Sequence, residues 1–342
     1  MEYRQLGRSG MRVSKLCLGT MNFGSSTDET EAARIIDVSI EGGVNFIDTA
    51  DVYARGLSEE MTGKALAANG QRDNIVLATK GVATMGKGPN DRGASRYHLT
   101  RAVEASLRRL QTDRIDLYYL HITDIDTPID ETLDTLDILV RQGKILYCAC
   151  SKWPVTLIME ALWLADKHGW PRIIAEQPAY NLTDRRVERD LVWTAMRHGI
   201  GLVPFGPLAG GVLSGIYRKG QPAPEGHKFK EVGQKDGHNR YTEESLDLVE
   251  ALIPLAEAKG ISLAEFSLAW LMHRPGVTAP ICGPRTVEQM ESSLRACDVV
   301  LEPEDMAQVD EIIAPGANVT NYCTLHERMC RAVNKPEKLG PF

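Results

Sequence analysis

No CxxC pair, no GxGxxG behind the first strand candidate and no run of about 18 apolar residues occur in the 342-residue chain. Each absence removes a class of protein. Without a long apolar run there is no candidate membrane span, and the opening MEYRQLGRSGM carries no apolar segment of signal-peptide type, so a cytoplasmic protein is expected. Cys17, Cys148, Cys150, Cys282, Cys297, Cys323 and Cys330 are odd in number and scattered through mostly apolar runs; they read as reduced core thiols, and no metal is expected. In such a protein the sequons at Asn181 and Asn318 are chance matches. Basic excess is missing too. A net charge of −7 and a pI near 5.7 argue against a nucleic-acid or anionic-membrane surface, and solubility accounts for the charge.

The composition is that of a globular protein, with 43% hydrophobic and 25% charged residues. Tyr3 to Leu6 and Arg12 to Lys15 flank a Gly7-Arg8-Ser9-Gly10 turn and read as a β-hairpin. Strand candidates then recur at Leu16 to Gly19, Val44 to Asp48, Ile75 to Lys80, Ile115 to Leu120, Ile145 to Ser151, Ile173 to Gln177, Gly201 to Phe205 and Thr278 to Cys282. Between them lie segments of helical apolar spacing, such as Leu99, Val103, Leu107 and Leu110, or Leu133, Leu136, Leu139 and Val140. Short apolar strands alternating with amphipathic helices require a parallel sheet covered on both faces. Eight such units fit a closed (β/α)8 TIM barrel in one domain over residues 1–342 better than an open doubly wound sheet. The polar, Gly- and Pro-rich stretch 215–244 is too long for a connector and reads as a rim loop. Residues 315–342 form a tail in which Tyr322, Leu325, Met329 and Val333 stand at helical spacing, which leaves docking and disorder both open.

Working residues in such a barrel stand at the C-terminal ends of its strands. These ends deliver Thr20, Asp48, Lys80, His121, Ser151, Gln177, Phe205 and Gly283 to Arg285, with Tyr53 just past the second. Singly, each has a structural explanation: Asp48 caps a helix, Lys80 snorkels, His121 is a satisfied core histidine, Gln177 bonds a loop carbonyl. Together they make proton-transfer machinery. A nearby Lys80 ammonium is expected to lower the Tyr53 phenol below its usual value near 10, while Asp48 holds the lysine and His121 orients a substrate carbonyl. This set can protonate an alkoxide, but it holds no electron source, so a hydride donor has to be bound nearby.

The stretches LGRSGMRVSKLCLGTMNFG, NFIDTADVY, ATKG, SLRRLQTDRIDLYYLH, TPIDETLDTLDILVRQGKI, PFGPLAGGVLSG and GPRTVEQMESSL, spread from Met1 to about Ile313, resemble the aldo-keto reductases. The resemblance implies reduction of aldehydes or ketones with NADPH, or the reverse oxidation, with a small carbonyl or alcohol as partner and NADH left open. By position it implies a catalytic tetrad of Asp48, Tyr53, Lys80 and His121, Tyr53 being the general acid. It also implies cofactor contacts at Thr20, Met21, Asp48, Ser151, Lys152, Gln177, Phe205, Gly206, Leu208, Gly283, Arg285, Gln289 and Ser293. Of these, Ser151 and Gln177 would bond the carboxamide, Phe205 would stack on the nicotinamide, and Arg285 with the helix behind it would take the 2′-phosphate. Three positions depart from the family pattern. Lys152 replaces an asparagine, Phe205-Gly206 replaces Tyr-Ser, and Ser293 stands where an Asn commonly reaches the adenine.

Two other functions compete. One is a nucleotide-sensing, weakly catalytic or non-catalytic subunit of the kind this family contributes to potassium-channel complexes. The other is a metal-dependent barrel hydrolase using His121, Asp124, His98 and His168, which the absence of paired histidines at Cys17, Leu18 and Gly19 disfavours. Substrate identity resides in the segments 81–97, 215–244 and 315 onward, and homo-oligomerisation is left open.

Overall fold

The computed structural model describes residues 1–221 and 240–320. β1 (Tyr3–Gln5) and β2 (Arg12–Ser14) pair antiparallel as the opening hairpin. The turn between them presses on the lower end of the barrel. Gly7 sits at φ +54°, and a Cβ there would lie 2.2 Å from the Ile174 carbonyl oxygen, so the contact tolerates only glycine.

Eight parallel strands follow: β3 (Cys17–Gly19), β4 (Phe46–Asp48), β5 (Val76–Gly81), β6 (Ile115–Leu120), β7 (Ile145–Ser151), β8 (Ile173–Gln177), β9 (Gly201–Leu202) and β10 (Ile281–Cys282). They lie side by side in chain order, with β10 against β3. Leu202 bridges Val277 in parallel and the Ile281 N–H donates to the Pro204 carbonyl at 2.8 Å, so the sheet closes into a (β/α)8 barrel. β9 and β10 are shorter than expected for a physical reason: Pro204 and Pro280 have no N–H to give the ladder, although their carbonyls still accept from Ile281 and Cys17.

Between the strands run α1 (Glu29–Glu41), α2 (Leu57–Asn69), α3 (Arg96–Leu110), α4 (Ile129–Arg141), α5 (Val155–His168) and α6 (Leu191–His198), then helices Glu243–Ala258, Leu263–Met272, Val287–Arg295 and Pro303–Ile312. Several of their starts carry side-chain caps. Asp28 accepts from Glu31, Ser95 from His98, and Ser262 with Glu265 forms a capping box. Their apolar stripes, including Leu99, Val103 and Leu107, pack on the outward strand residues; each fully buried leucine contributes roughly 1.5–3 kcal/mol.

Of the expected rim loop, residues 222–239 lie outside the described part. Its flanks are tied down: Arg218 donates two bonds of 2.7 Å to Glu250, and Thr242 caps helix Glu243–Ala258. The tail runs back along the barrel as far as Thr320, the Val319 N–H donating to Thr183 at 3.0 Å. Residues 321–342, with the spacing from Tyr322 to Val333, are outside the described residues. Cys17, Cys148, Cys150, Cys282 and Cys297 are buried and unpaired, whereas Cys323 and Cys330 also fall outside. Among the described residues no helix is long and apolar enough to cross a membrane.

Candidate active site

Strand side chains alternate between the inside of the barrel and the helix layer. Phe46, Ala78, Leu117, Tyr119, Ala149, Ala175 and Val203 fill the interior. Two residues further on the same parity come Asp48, Lys80, His121, Ser151, Gln177 and Phe205. The interior core therefore ends upward in a polar layer, and the hairpin closes the other end with Leu6 and Val13.

Lys80 lies at the bottom of that layer, fully buried. Its ammonium donates to Asp48 Oδ2 at 2.5 Å, to the Thr49 carbonyl at 2.7 Å and to the Tyr53 hydroxyl at 3.2 Å. All three protons are used. Because the phenol oxygen accepts from Lys80, its own proton is free to point into the cavity. Asp48 is held on its other side by Gln177 Nε2 at 3.0 Å. The His121 ring meets Tyr53 edge-on, 5.7 Å between centroids, and its Nδ1 is buried without a partner.

Burial is the first influence on each group here, and the charges then decide the outcome. It pushes the Asp48 carboxyl up against the downward pull of Lys80. It pushes Lys80 down, but Asp48 and Tyr53 outweigh it and hold the ammonium above its ordinary value. His121 is driven well below the usual histidine value by burial, then by Lys80 and Lys152, so its ring is neutral at pH 7. For Tyr53 the expected direction is reversed. Lys80 does pull the phenol down, but burial, aided by Asp48 and Asp51, leaves it above its ordinary value. A half-buried phenol that stays protonated is suited to donate.

A cavity of about 1150 Å³ opens above this layer. Asp48, Tyr53, His121, Ser151, Lys152 and Gln177 line it at one end, Phe205, Gly206 and Leu208 beside them, and Gly283, Arg285, Gln289 and Ser293 at the other, with Met21 on the wall. Lys80 lies beneath the wall and acts through its neighbours. Thr20 departs from expectation. It is buried off the cavity, its hydroxyl 2.8 Å from Ser58 Oγ and 3.3 Å from the Asp48 carbonyl, which makes it a brace for that strand end. The far end also differs in detail. Gln289 Oε1 accepts from the Arg285 N–H at 2.8 Å, Ser293 donates to the Gln289 carbonyl, and the Val287 N–H at the head of helix Val287–Arg295 is taken by Glu31 Oε1 at 2.8 Å. Part of the expected phosphate seat is thus filled by a carboxylate of α1. Sequence spacing gave no sign of Glu31 at this place, nor of Asn22, whose amide donates to the Gly283 carbonyl at 2.8 Å.

A nicotinamide nucleotide fits this surface. Hydrogen-bonding side chains and an aromatic ring flank Tyr53 at one end, and an exposed arginine at a helix start stands at the other, all on one cavity. Backbone strain concentrates on the same rim. Of the six non-glycine residues at positive φ among the described residues, Ala54 and Arg55 follow Tyr53, Val82 follows Lys80-Gly81, Lys152 follows Ser151, and Ala209 follows Leu208.

The barrel carries this polar layer at the C-terminal ends of its strands, and comparison with known sequences gives the class, an oxidoreductase: the sequence model described as the Aldo/keto reductase family matches residues 15–314. The chain belongs to that family. It is 40% identical over 325 residues to an uncharacterized oxidoreductase, YrpG, of Bacillus subtilis, covering 92% of this chain and 97% of the relative. It is also 37% and 36% identical, at the same coverage, to proteins of Arabidopsis thaliana and Oryza sativa named as probable voltage-gated potassium channel beta subunits.

Proposed function

We propose that the protein reduces aldehydes or ketones with NADPH, Tyr53 acting as general acid and, in the reverse direction, as base. The observation that carries this reading is the Lys80 ammonium buried between Asp48 and the Tyr53 hydroxyl, which leaves the phenolic proton free to face the cavity. NADPH, when bound, supplies the hydride that no side chain can. Ser151, Lys152, Gln177, Phe205, Gly206 and Leu208 would hold its nicotinamide end, and Gly283, Arg285, Gln289 and Ser293 its adenosine end.

The residues of the chain do the rest. A carbonyl oxygen seated beside Tyr53 receives the phenolic proton as negative charge grows on it, and neutral His121 offers a ring N–H that orients it. Lys80 then stabilises the phenolate left behind, and Asp48 keeps the lysine charged and in place. A cytoplasmic site of action accompanies this reading.

Tyr53→Phe tests it. Turnover of a carbonyl panel, followed as loss of NADPH absorbance, should fall by about 10² to 10⁴ while NADPH binding is retained. A loss within about tenfold would mean that another group supplies the proton.

The names of the two plant relatives support a second reading, a nucleotide-sensing subunit of a channel assembly. Stopped-flow mixing of the NADPH-loaded protein with carbonyls separates the two. A sensing subunit shows negligible cofactor oxidation, and a reductase shows rapid oxidation that depends on the substrate.

A further inference from the structure

Asp51 stands in the chain between Asp48 and Tyr53, the two side chains that flank Lys80, and the proposed reaction gives it no task. It is buried, and its N–H donates to the Lys80 carbonyl at 3.1 Å. Among the described residues neither of its carboxyl oxygens accepts a hydrogen bond. A buried acid left in that state needs a local reason.

The surrounding elements supply one. Glu59, fully buried on α2, accepts from the Thr79 hydroxyl on one oxygen and from Arg109 Nε of α3 on the other, both at 2.6 Å. The Arg109 stem lies against the turn that carries Tyr53, since a Cβ on Gly56 would stand 2.7 Å from Arg109 Cδ. On β5 the Lys80 ammonium has its three protons on Asp48, Thr49 and Tyr53. On β6 the Tyr118 hydroxyl is buried without a partner against Gly81, and burial, then Asp51 and Glu59, hold that phenol well above its ordinary value, so it stays protonated. Two buried carboxyls thus lie near one guanidinium that is bonded to only one of them. The other has no cation of its own, and a proton is the alternative. Burial, then Glu59, push Asp51 up to about 7 against the weaker pull of Arg109, the Val52 N–H and Lys80. Its charge also reaches the phenol, being among the influences that favour protonated Tyr53.

We infer that Asp51 is a positioning residue that acts on Tyr53 from behind the catalytic turn: as a neutral acid it leaves the phenol to Lys80, and as a carboxylate it opposes the phenolate that alcohol oxidation requires. The assignment rests on the carbonyl-reductase reading above. In oxidation the phenolate takes the hydroxyl proton of the alcohol as the hydride leaves its carbon for NADP+, so the charge on Asp51 governs how much phenolate is present at a given pH. Reduction uses the protonated phenol and is insensitive to the same charge while the phenol stays protonated.

The test follows oxidation of 4-nitrobenzyl alcohol with NADP+ as a function of pH. In the wild-type protein log kcat should climb less steeply around pH 7, where Asp51 gains its charge, than on either side. Asp51→Asn and Asp51→Leu, both neutral, should lose that pause, and the ratio of variant to wild-type kcat should rise roughly threefold or more between about pH 6 and about pH 9. A stability readout runs in parallel. The fold holds this acid above its unfolded value near 4, so the wild type loses stability as pH rises from about 4 through 7, and the denaturant midpoints of the neutral variants should gain on it between about pH 5 and about pH 8. Oxidation profiles that stay parallel to the wild type overturn the assignment and leave the reductase reading standing. A difference in denaturant midpoint that is the same at both pH values also overturns it, because Asp51 then does not titrate in the fold. If the wild-type protein turns over neither the alcohol with NADP+ nor 4-nitrobenzaldehyde with NADPH, both readings are rejected.

Discussion

At Tyr53 two influences oppose each other, and the pH dependence reports which prevails. Lys80 favours phenolate, burial favours phenol, and the phenol ends above its ordinary value near 10. Reduction needs the protonated form, so kcat for a carbonyl should stay level from about pH 6 to 9 and be lost only as pH rises through the raised phenol value. Oxidation of the alcohol needs the phenolate and should climb throughout that range. His121, held well below the usual histidine value, should contribute no inflection near 6.5. A step near pH 6.5 in reduction that vanished in His121→Ala would show that the ring is charged in the working enzyme.

At the level of elements, the inward residues of the site were legible because a strand has period two. In Leu117, Tyr119 and His121, or in Ala149 and Ser151, the interior side chain announces the working residue two positions later. The family resemblance then assigned roles that parity cannot. What escaped depends on contacts between distant elements. Thr20 has the right position in the chain but is drawn away by Ser58 of α2, and the strand bounds at Pro204 and Pro280 follow from missing N–H groups, not from hydropathy. Glu31 is the clearest example. It belongs to α1, yet it accepts the Val287 N–H at 2.8 Å, 256 residues away, and pairs with Arg34 at 2.9 Å. A carboxylate at the helix start where a 2′-phosphate is proposed opposes that phosphate. Glu31→Gln keeps an acceptor for Val287 and removes the charge. It should tighten NADPH severalfold and leave NADH nearly unchanged in fluorescence titrations; equal shifts for both nucleotides would remove the 2′-phosphate from that helix end.

For the molecule as a whole, the barrel positions the rim only if its outer layer is held to it, and one buried cation ties several segments together. Arg185, fully buried, donates to Glu188 at 3.0 and 2.9 Å, to Asp310 at 2.7 Å and to the Ile313 carbonyl at 2.5 Å, and it lies 5.2 Å from the Trp270 ring. It therefore joins the loop after β8 to helices Leu263–Met272 and Pro303–Ile312 and to the chain leading into the tail. Glu188 also holds the Tyr180 hydroxyl and pairs with Arg274 at 3.3 Å. Removing one member of such a buried set leaves charge without its partner, which typically costs about 3–5 kcal/mol, whereas replacing both partners by apolar groups costs much less. Arg185→Met should accordingly lower denaturant stability by about that amount, and Arg185→Met with Glu188→Leu should recover a large part of the loss. Arg274 makes the recovery incomplete, because the second substitution strips it of Glu188. If the single variant loses less than about 1 kcal/mol, the network is not what fastens the last helix to the barrel. Apolar packing of Val309 and Ile313 against the core would then be sufficient.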